Sequence, residues 1–279
     1  MSKCLRISVL FLLLFITGNI FASFNKSLWP IWEVNNPLSK AIIQHTEWQE
    51  FLQKHVITNE EGINLVDYPS LKENDRQLLK KYIERMSTVS ISNFNRAEQL
   101  AYWINVYNAI TVHTVASYYP VNSIDEINIS PGLFSIGPWG AKLITVNNIS
   151  LSLDEIQNRI IRPIWNDSRS HYALNNGAIG APNLSRQAYT GEKLDEQLNQ
   201  AAFEYVNSLR GVQVIEGELV VSKIYDWFSE DFGETKQNVI NHIKQFAKEP
   251  LKQQLKHINT IDNYVYNWHL NTSVAKQDS

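Results

Sequence analysis

The chain has 279 residues, of which 44% are hydrophobic, and its formal net charge is −3 at pH 7. A chain of this length can bury a sizeable core without disulfides or metal ions. The sequence shows none of the clustered Lys and Arg that nucleic-acid binders need, and its slight acidic excess makes an anionic lipid surface an equally poor partner.

The first 22 residues have the layout of a secretory signal peptide. Lys3 and Arg6 precede an unbroken apolar run at 7–16, and Ala22 is a small residue suited to cleavage. The run is about half of the roughly 20 residues that span a bilayer. We therefore predict a secreted or periplasmic protein with no stable membrane span after loss of residues 1–22. An uncleaved membrane anchor is the alternative.

Cysteine usage restricts the chemistry of the exported chain. Cys4 is the sole cysteine, and it lies inside the predicted signal. Removing that signal also removes Lys3 and Arg6 and no acidic residue, so the net charge changes from −3 to −5. The predicted mature chain therefore has no disulfide, no thiolate nucleophile and no CxxC redox pair.

Helical spacing dominates the first part of the predicted mature chain. Residues 23–37 form an irregular lead-in rich in Trp, Pro and Asn. Apolar residues at three-to-four spacing predict helices over 38–56 and 71–86, and 63–68 has the pattern of a short strand. The strongest helical pattern, at 96–118, lacks Gly and Pro and is apolar almost all round. We predict that this helix is buried in the middle of the domain.

Two hairpins are predicted where turn residues separate short apolar runs. Asn147 and Asn148 divide the first hairpin, at 142–151, and Glu216 and Gly217 divide the second, at 212–221. Between them, a capping-box pattern predicts a helix from position 152 to about 161, with Pro163 as its stop signal. A strand is predicted at 171–174, followed by a turn-rich loop at 175–183. Further helices are predicted at 190–207, 222–228, 235–248 and 251–257.

The pattern as a whole favours one α+β domain. No linker rich in Gly, Ser or Pro divides the chain, and no internal repeat is present. We predict a mainly helical single domain with short antiparallel strands over residues 38–271, followed by a disordered polar tail at 272–279.

Polar side chains in apolar surroundings are the candidate ligand-binding residues. Asn105 and Asn108 share a face of the predicted buried helix, where an amide without a partner costs about 1–3 kcal/mol. They either anchor the backbone of the Gly/Pro-rich loops or line a pocket. The turn-rich loop adds the amides of Asn175 and Asn176, and Tyr189 lies shortly after it.

His171 and His113 are the candidate catalytic residues. His171 enters the amide-rich loop, where an imidazole can act as a general base beside an anion site or serve a structural role at a strand end. The seven histidines form no HExxH or HxH pattern, so no metal site is predicted. The sequence also lacks the GxSxG elbow, the P-loop and the GxGxxG fingerprint, and no cofactor is predicted.

Six motifs along the chain carry a family resemblance. They are NLVDY at 64–68, QLAYWINVYNA at 99–109, HYALNNGAIGAPNL at 171–184, AYTGEKLDEQL at 188–198, SKIYDWFSEDF at 222–232 and YNWHLN at 266–271. In this order they resemble the bacterial branch of the domain of unknown function 547 (DUF547) family, over roughly residues 38–271.

The resemblance implies little about activity, because the family has no established general biochemical role. Members have been described as glutaredoxin-like or as electron carriers. Typical members carry two cysteines in the loop after the HxALN motif, at positions that match Asn176 and Ala181 here, and an acidic residue that matches Asn267. A cysteine-based activity therefore does not carry over, because an amide cannot replace a thiolate as a nucleophile.

Three functions follow as hypotheses. The first, which we expect, is an exported ligand-binding or non-catalytic envelope protein whose partner is a small molecule or another envelope protein. The second is a hydrolase or group transferase without a catalytic cysteine, in which His171 or His113 acts as the base and the asparagine amides position the substrate. The third is a thiol oxidoreductase, which only the descriptions of family members support. The sequence leaves open whether the protein is an enzyme.

Overall fold

The computed structural model describes residues 26–133 and 135–273. The predicted signal peptide therefore lies outside the described residues. Within those residues, no helix combines the length and the hydropathy that crossing a bilayer requires. The predicted disordered tail is wrong at its start, because the backbone N–H of Ser273 donates to the carbonyl of Val66 at 3.1 Å.

Helix α1 (Thr46–His55) and strand β1 (Val56–Thr58) open the folded part, and strand β2 (Asn64–Val66) pairs antiparallel with β1. Helix α2 (Glu73–Ser87) follows. The helix predicted over 38–56 is wrong before Thr46. Leu38 and Ile42, two of the apolar residues behind that prediction, are 88% and 59% exposed, so their spacing marks no buried face.

Helix α3 (Arg96–Tyr118) is the buried centre of the fold, as predicted. Asn95 caps it by accepting a hydrogen bond from the backbone N–H of Glu98 at 3.0 Å. Because nearly every side chain from Glu98 to Ala116 is buried, α3 packs against its neighbours on all sides. Its large residues, such as Trp103, join the hydrophobic core that also holds α1, α2 and the first hairpin.

The first hairpin consists of β3 (Ile144–Val146) and β4 (Ile149–Leu151), as predicted. Asn147 and Asn148 have φ angles of 49° and 63°, the left-handed region that asparagine tolerates better than most residues.

The predicted capping box of Ser152 and Glu155 is present and starts a helix at α4 (Leu153–Glu155). The helix continues through a π-helical turn (Ile156–Ile161) into α5 (Arg162–Trp165), so the predicted stop at Pro163 is wrong. The backbone N–H of Arg162 donates to Gln157, five residues back. This wider turn lies just before the proline, which itself has no N–H to place in the ladder.

The strand predicted at 171–174 is also wrong, since α6 (Ser170–Ala173) is a short helical turn. All of its side chains are buried, so they show neither the alternation of a half-buried strand nor a helical stripe. Local hydrogen bonds define the turn: the backbone N–H of His171 donates to Ser168 and that of Tyr172 to Arg169.

The C-terminal part contains a second core beside α3. Helix α7 (Leu194–Val206) precedes the predicted second hairpin, which consists of β5 (Val212–Ile215) and β6 (Glu218–Ser222). Short helix α8 (Ile224–Trp227), α9 (Lys236–Phe246) and α10 (Leu251–Gln254) follow. The sequence did not predict strand β7 (Asn263–Val265), which pairs parallel with β6. The fold is α+β and mainly helical, as predicted.

Candidate functional site

A cavity of about 370 Å³ lies where α3, the start of α4, α6, α8 and the C-terminal segment meet. Its wall is mainly apolar and contains six aromatic side chains. A few polar groups converge on the same space. The aromatic residues are Tyr107, Trp139, Trp227, Phe228, Tyr266 and Trp268, and the polar ones are Asp125, Asp154, Gln157, His171 and Asn176.

Four of the aromatic rings form a continuous wall. The ring centroids of Tyr266 lie 4.8 Å from those of both Trp227 and Trp268, and Trp139 lies 6.3 Å from Trp268. These separations are typical of aromatic pairs in contact. Burial raises the pKa of Tyr266 well above its ordinary value, so its hydroxyl stays protonated. The wall therefore presents uncharged aromatic surface to the cavity.

His171 is buried and held by a carboxylate. Its Nε2 lies 2.8 Å from Oδ2 of Asp231, and its ring stacks on Phe228 with centroids 4.3 Å apart. Asp231 is also bound by Arg162 and forms a 2.8 Å salt bridge with Lys26. Burial alone would raise the pKa of Asp231, but hydrogen bonds from His171, Arg162 and Lys26 outweigh it and keep Asp231 ionised.

The second ring nitrogen of His171 has no hydrogen-bond partner among the described residues. Because Nε2 faces the carboxylate of Asp231, the proton lies on Nε2 and Nδ1 keeps its lone pair. Burial lowers the pKa of His171, and the hydrogen bond to Asp231 opposes this shift without reversing it. The imidazole is therefore neutral near pH 7 and has an unused acceptor in a side chain that lines the cavity.

Two carboxyl groups that the sequence reading missed also line the cavity. Asp125 lies in a short 3₁₀ turn beside the Trp139 side chain, which partly offsets the effect of burial on the pKa of Asp125. Asp154 lies in the first turn of α4, and its backbone N–H donates to the carbonyl of Trp139 at 3.1 Å. Burial raises the pKa of both carboxyls. The capping box could have located Asp154 at a helix start, but no sequence signal points to the cavity.

Asn176, which the resemblance matches to the first of the two cysteines, lines the cavity. Its Oδ1 accepts hydrogen bonds from the Tyr266 hydroxyl at 2.9 Å and from the backbone N–H of Ala178 at 3.3 Å. Its amide nitrogen, which donates to no described residue, remains for a ligand. Ala181, at the second cysteine position, is fully buried.

The other predicted asparagines anchor the backbone. Asn105 donates to the carbonyl of Tyr189 at 2.8 Å and accepts from its N–H at 3.0 Å. Asn108 does the same between the carbonyl of Ala173 and the N–H of Asn175. Asn175 donates in turn to Pro182 at 2.7 Å. These contacts favour the first interpretation of the amides, as supports for the loops.

Tyr189 and His113 lie at other places. Tyr189 contributes to a polar groove beside β1 and α7. His113 lies in a shallow depression with Arg76 and Lys80 of α2. Burial lowers the pKa of His113, and both cations lower it further. The structure thus brings His171 and Asn176 together and leaves His113 apart. Among the described residues, no group of His, Cys, Asp or Glu is arranged to hold a metal ion.

Among the comparisons with known proteins, only the one with family models found a match. No curated protein matches the chain, and no solved structure matches it. A family model described as "Protein of unknown function, DUF547" matches residues 91–206. The matched range covers α3, α6 and α7, and with them His171 and Asn176 of the cavity. The family resemblance that the motifs predicted is therefore confirmed over residues 91–206.

Proposed function

We propose that this protein is an exported small-molecule-binding protein that holds its ligand in the aromatic cavity. The observation that carries the proposal is the convergence of a continuous aromatic wall and five polar side chains on one space of about 370 Å³. Small-molecule sites are typically mostly apolar concavities of this size range with a few oriented polar groups.

Two polar atoms on side chains of the cavity wall have no partner among the described residues, which supports a ligand. Nδ1 of His171 is buried without a partner among the described residues. A buried polar atom without a hydrogen bond costs about 1–3 kcal/mol, and water or a ligand has to offset that cost. The amide nitrogen of the partly buried Asn176 also donates to no described residue, so it can donate to a ligand. Such a bond would orient the ligand.

Export is supported by the basic residues, apolar run and small residue within 1–22, and by the absence of cysteine from 23–279. We expect intact-mass measurement of the protein from the medium or periplasm to show loss of residues 1–22. A chain that retains Met1 or Ser2 and sediments with membranes would contradict this.

Asn176→Cys, in a chain that also carries Cys4→Ser, tests whether the cavity is occupied. The new thiol lines the cavity, so a small methanethiosulfonate reagent should modify it in protein that has been unfolded, dialysed and refolded. Protein isolated without unfolding, or exposed to a methanol extract of host cells, should react at least tenfold more slowly because the ligand covers the thiol. Intact-mass spectrometry measures the rate.

Ala181→Cys is the matched control. Its side chain is buried in the same loop and does not line the cavity, so it should remain unmodified until the protein is denatured. Equal modification rates at position 176 with and without extract, together with no small molecule released by denaturation, would refute the proposal.

One observation favours the enzyme hypothesis as a second candidate. The pair of His171 and Asp231 is a base with an orienting carboxylate, an arrangement that general-base catalysis uses. Turnover of a bound molecule should then fall at least 100-fold in His171→Gln without a matching loss of affinity. If His171→Gln changes affinity alone, the histidine only binds.

A further inference from the structure

The electrostatic character of the cavity restricts the ligand. The described lining residues include the carboxyls of Asp125 and Asp154 and contain no lysine or arginine. The nearby cations lie behind the wall, where Asp231 binds both Arg162 and Lys26. An anionic ligand would therefore face two carboxyls without a compensating charge.

Both aspartates lie beside Trp139 of the wall. The Trp139 side chain partly offsets the effect of burial on the pKa of Asp125, and the Trp139 carbonyl accepts a hydrogen bond from the backbone N–H of Asp154. No described side chain forms a salt bridge with either carboxylate. These carboxyls are thus available to a hydrogen-bond donor that enters from the cavity.

The tryptophan rings of the wall also suit a positively charged donor. The faces of Trp139, Trp227 and Trp268 can stabilise a cation, since a cation over an indole ring contributes about 0.5–2 kcal/mol. The same rings provide an apolar surface for a carbon skeleton.

We propose that the cavity binds an amine-bearing organic molecule, with its ammonium group between Asp125 and Asp154 and its carbon skeleton against the tryptophan wall. This inference rests on the proposed function, because it names the class of ligand for the same cavity. Burial raises the pKa of both carboxyls when no cation is present, and an ammonium group would restore their ionised form.

Binding of three matched probes tests the class of ligand. 2-Phenylethylamine carries the ammonium group, 2-phenylethanol is its neutral counterpart, and 3-phenylpropionate is an anion of similar size. Titration of the full chain, followed by tryptophan fluorescence and calorimetry, should show at least tenfold tighter binding of the amine than of the alcohol. The anion should not bind.

Charge-neutral variants locate the ammonium group. Asp154→Asn and Asp125→Asn should each weaken amine binding at least tenfold and leave binding of the alcohol within twofold of the parent chain. Glu218→Gln, which removes an exposed carboxylate at the start of β6, is the matched control and should change neither affinity.

Two outcomes separate this inference from the proposed function. If the alcohol or a neutral sugar such as methyl α-glucoside binds as tightly as the amine and protects Asn176→Cys, the cavity binds ligands and the amine inference is wrong. If no probe binds, the amine inference also fails, and the proposed function then depends on the molecule released from native protein.

Discussion

Asp231→Ala should lower the free energy of unfolding by about 3–5 kcal/mol, the range measured when one partner of a buried ion pair is removed. The carboxylate of Asp231 binds Arg162, Lys26 and His171 at once. The side chain of Arg162 is only 2% exposed, so water cannot replace the lost carboxylate without a rearrangement. The same change removes the group that orients His171. Urea unfolding followed by tryptophan fluorescence measures the loss.

Glu230→Ala is the matched control for this prediction. Glu230 precedes Asp231 and also lies near Arg162, at 3.6 Å, but its side chain is 52% exposed. Exposed ion pairs contribute about 0–1 kcal/mol, so the control should remain within about 1 kcal/mol of the parent chain. Equal losses in the two variants would show that Asp231 is not the anchor of the site.

Acidification should destabilise the protein between about pH 6.5 and pH 4, because the buried His45 and His171 and the half-buried His242 are neutral in the folded state. Burial lowers the pKa of His45 and of His242 from 6.5 to about 4, and it also lowers the pKa of His171. Each folded-state pKa lies below the unfolded value, so the unfolded chain binds more protons in this range. The stability that these groups contribute is complete above pH 6.5 and is lost as the pH falls towards 4.

His242→Gln isolates one of these contributions. A shift from 6.5 to about 4 corresponds to a contribution on the order of 2 kcal/mol lost between pH 7 and pH 4.5. The loss of stability over that interval should therefore be smaller by about this amount in the variant. Glutamine can retain the hydrogen bond to Tyr172, which is 2.8 Å long with His242.

Carboxyl groups titrate differently in the same experiment. Asp231 and Asp75 have a pKa held well below the usual range, so the stability that their ionised carboxylates contribute is lost only below about pH 4. Burial raises the pKa of Asp125 and Asp154. Protonation of these two carboxyls therefore stabilises the folded state as the pH falls, whereas protonation of the histidines destabilises it. The difference between parent and variant cancels these shared effects. Identical pH dependence in the two chains would show that His242 is not buried as a neutral group.

The sequence predicted the elements whose signals are local. Helix α3 agrees with the prediction because 96–118 is long and free of Gly and Pro, and Pro120 lies beyond its end. The two hairpins agree because Asn147, Asn148 and Gly217 have the left-handed backbone that Asn and Gly tolerate, and Glu216 shares it. The sequence-based predictions fail where a tertiary contact determines the local structure. Strand β7 exists because it pairs with β6, about 40 residues earlier.

The candidate site was also predicted only in part. His171 and Asn176 were predicted from one motif, and both line the cavity. The tryptophans at 139, 227 and 268 could not be assigned to it, because only the packing of three distant segments brings them together. Asn105 and Asn108 resemble pocket residues in sequence, since a buried amide has the same pattern whether it holds a loop or a ligand.

A crystal structure of the protein purified under native conditions would show, in the electron density inside the cavity, whether a ligand is bound there. We predict density for an organic molecule in contact with Trp227 and Trp268, with a polar atom within hydrogen-bond distance of Asn176 or Asp154. A cavity that contains only water, both in that crystal and in one soaked with host-cell extract, would contradict ligand binding in the cavity.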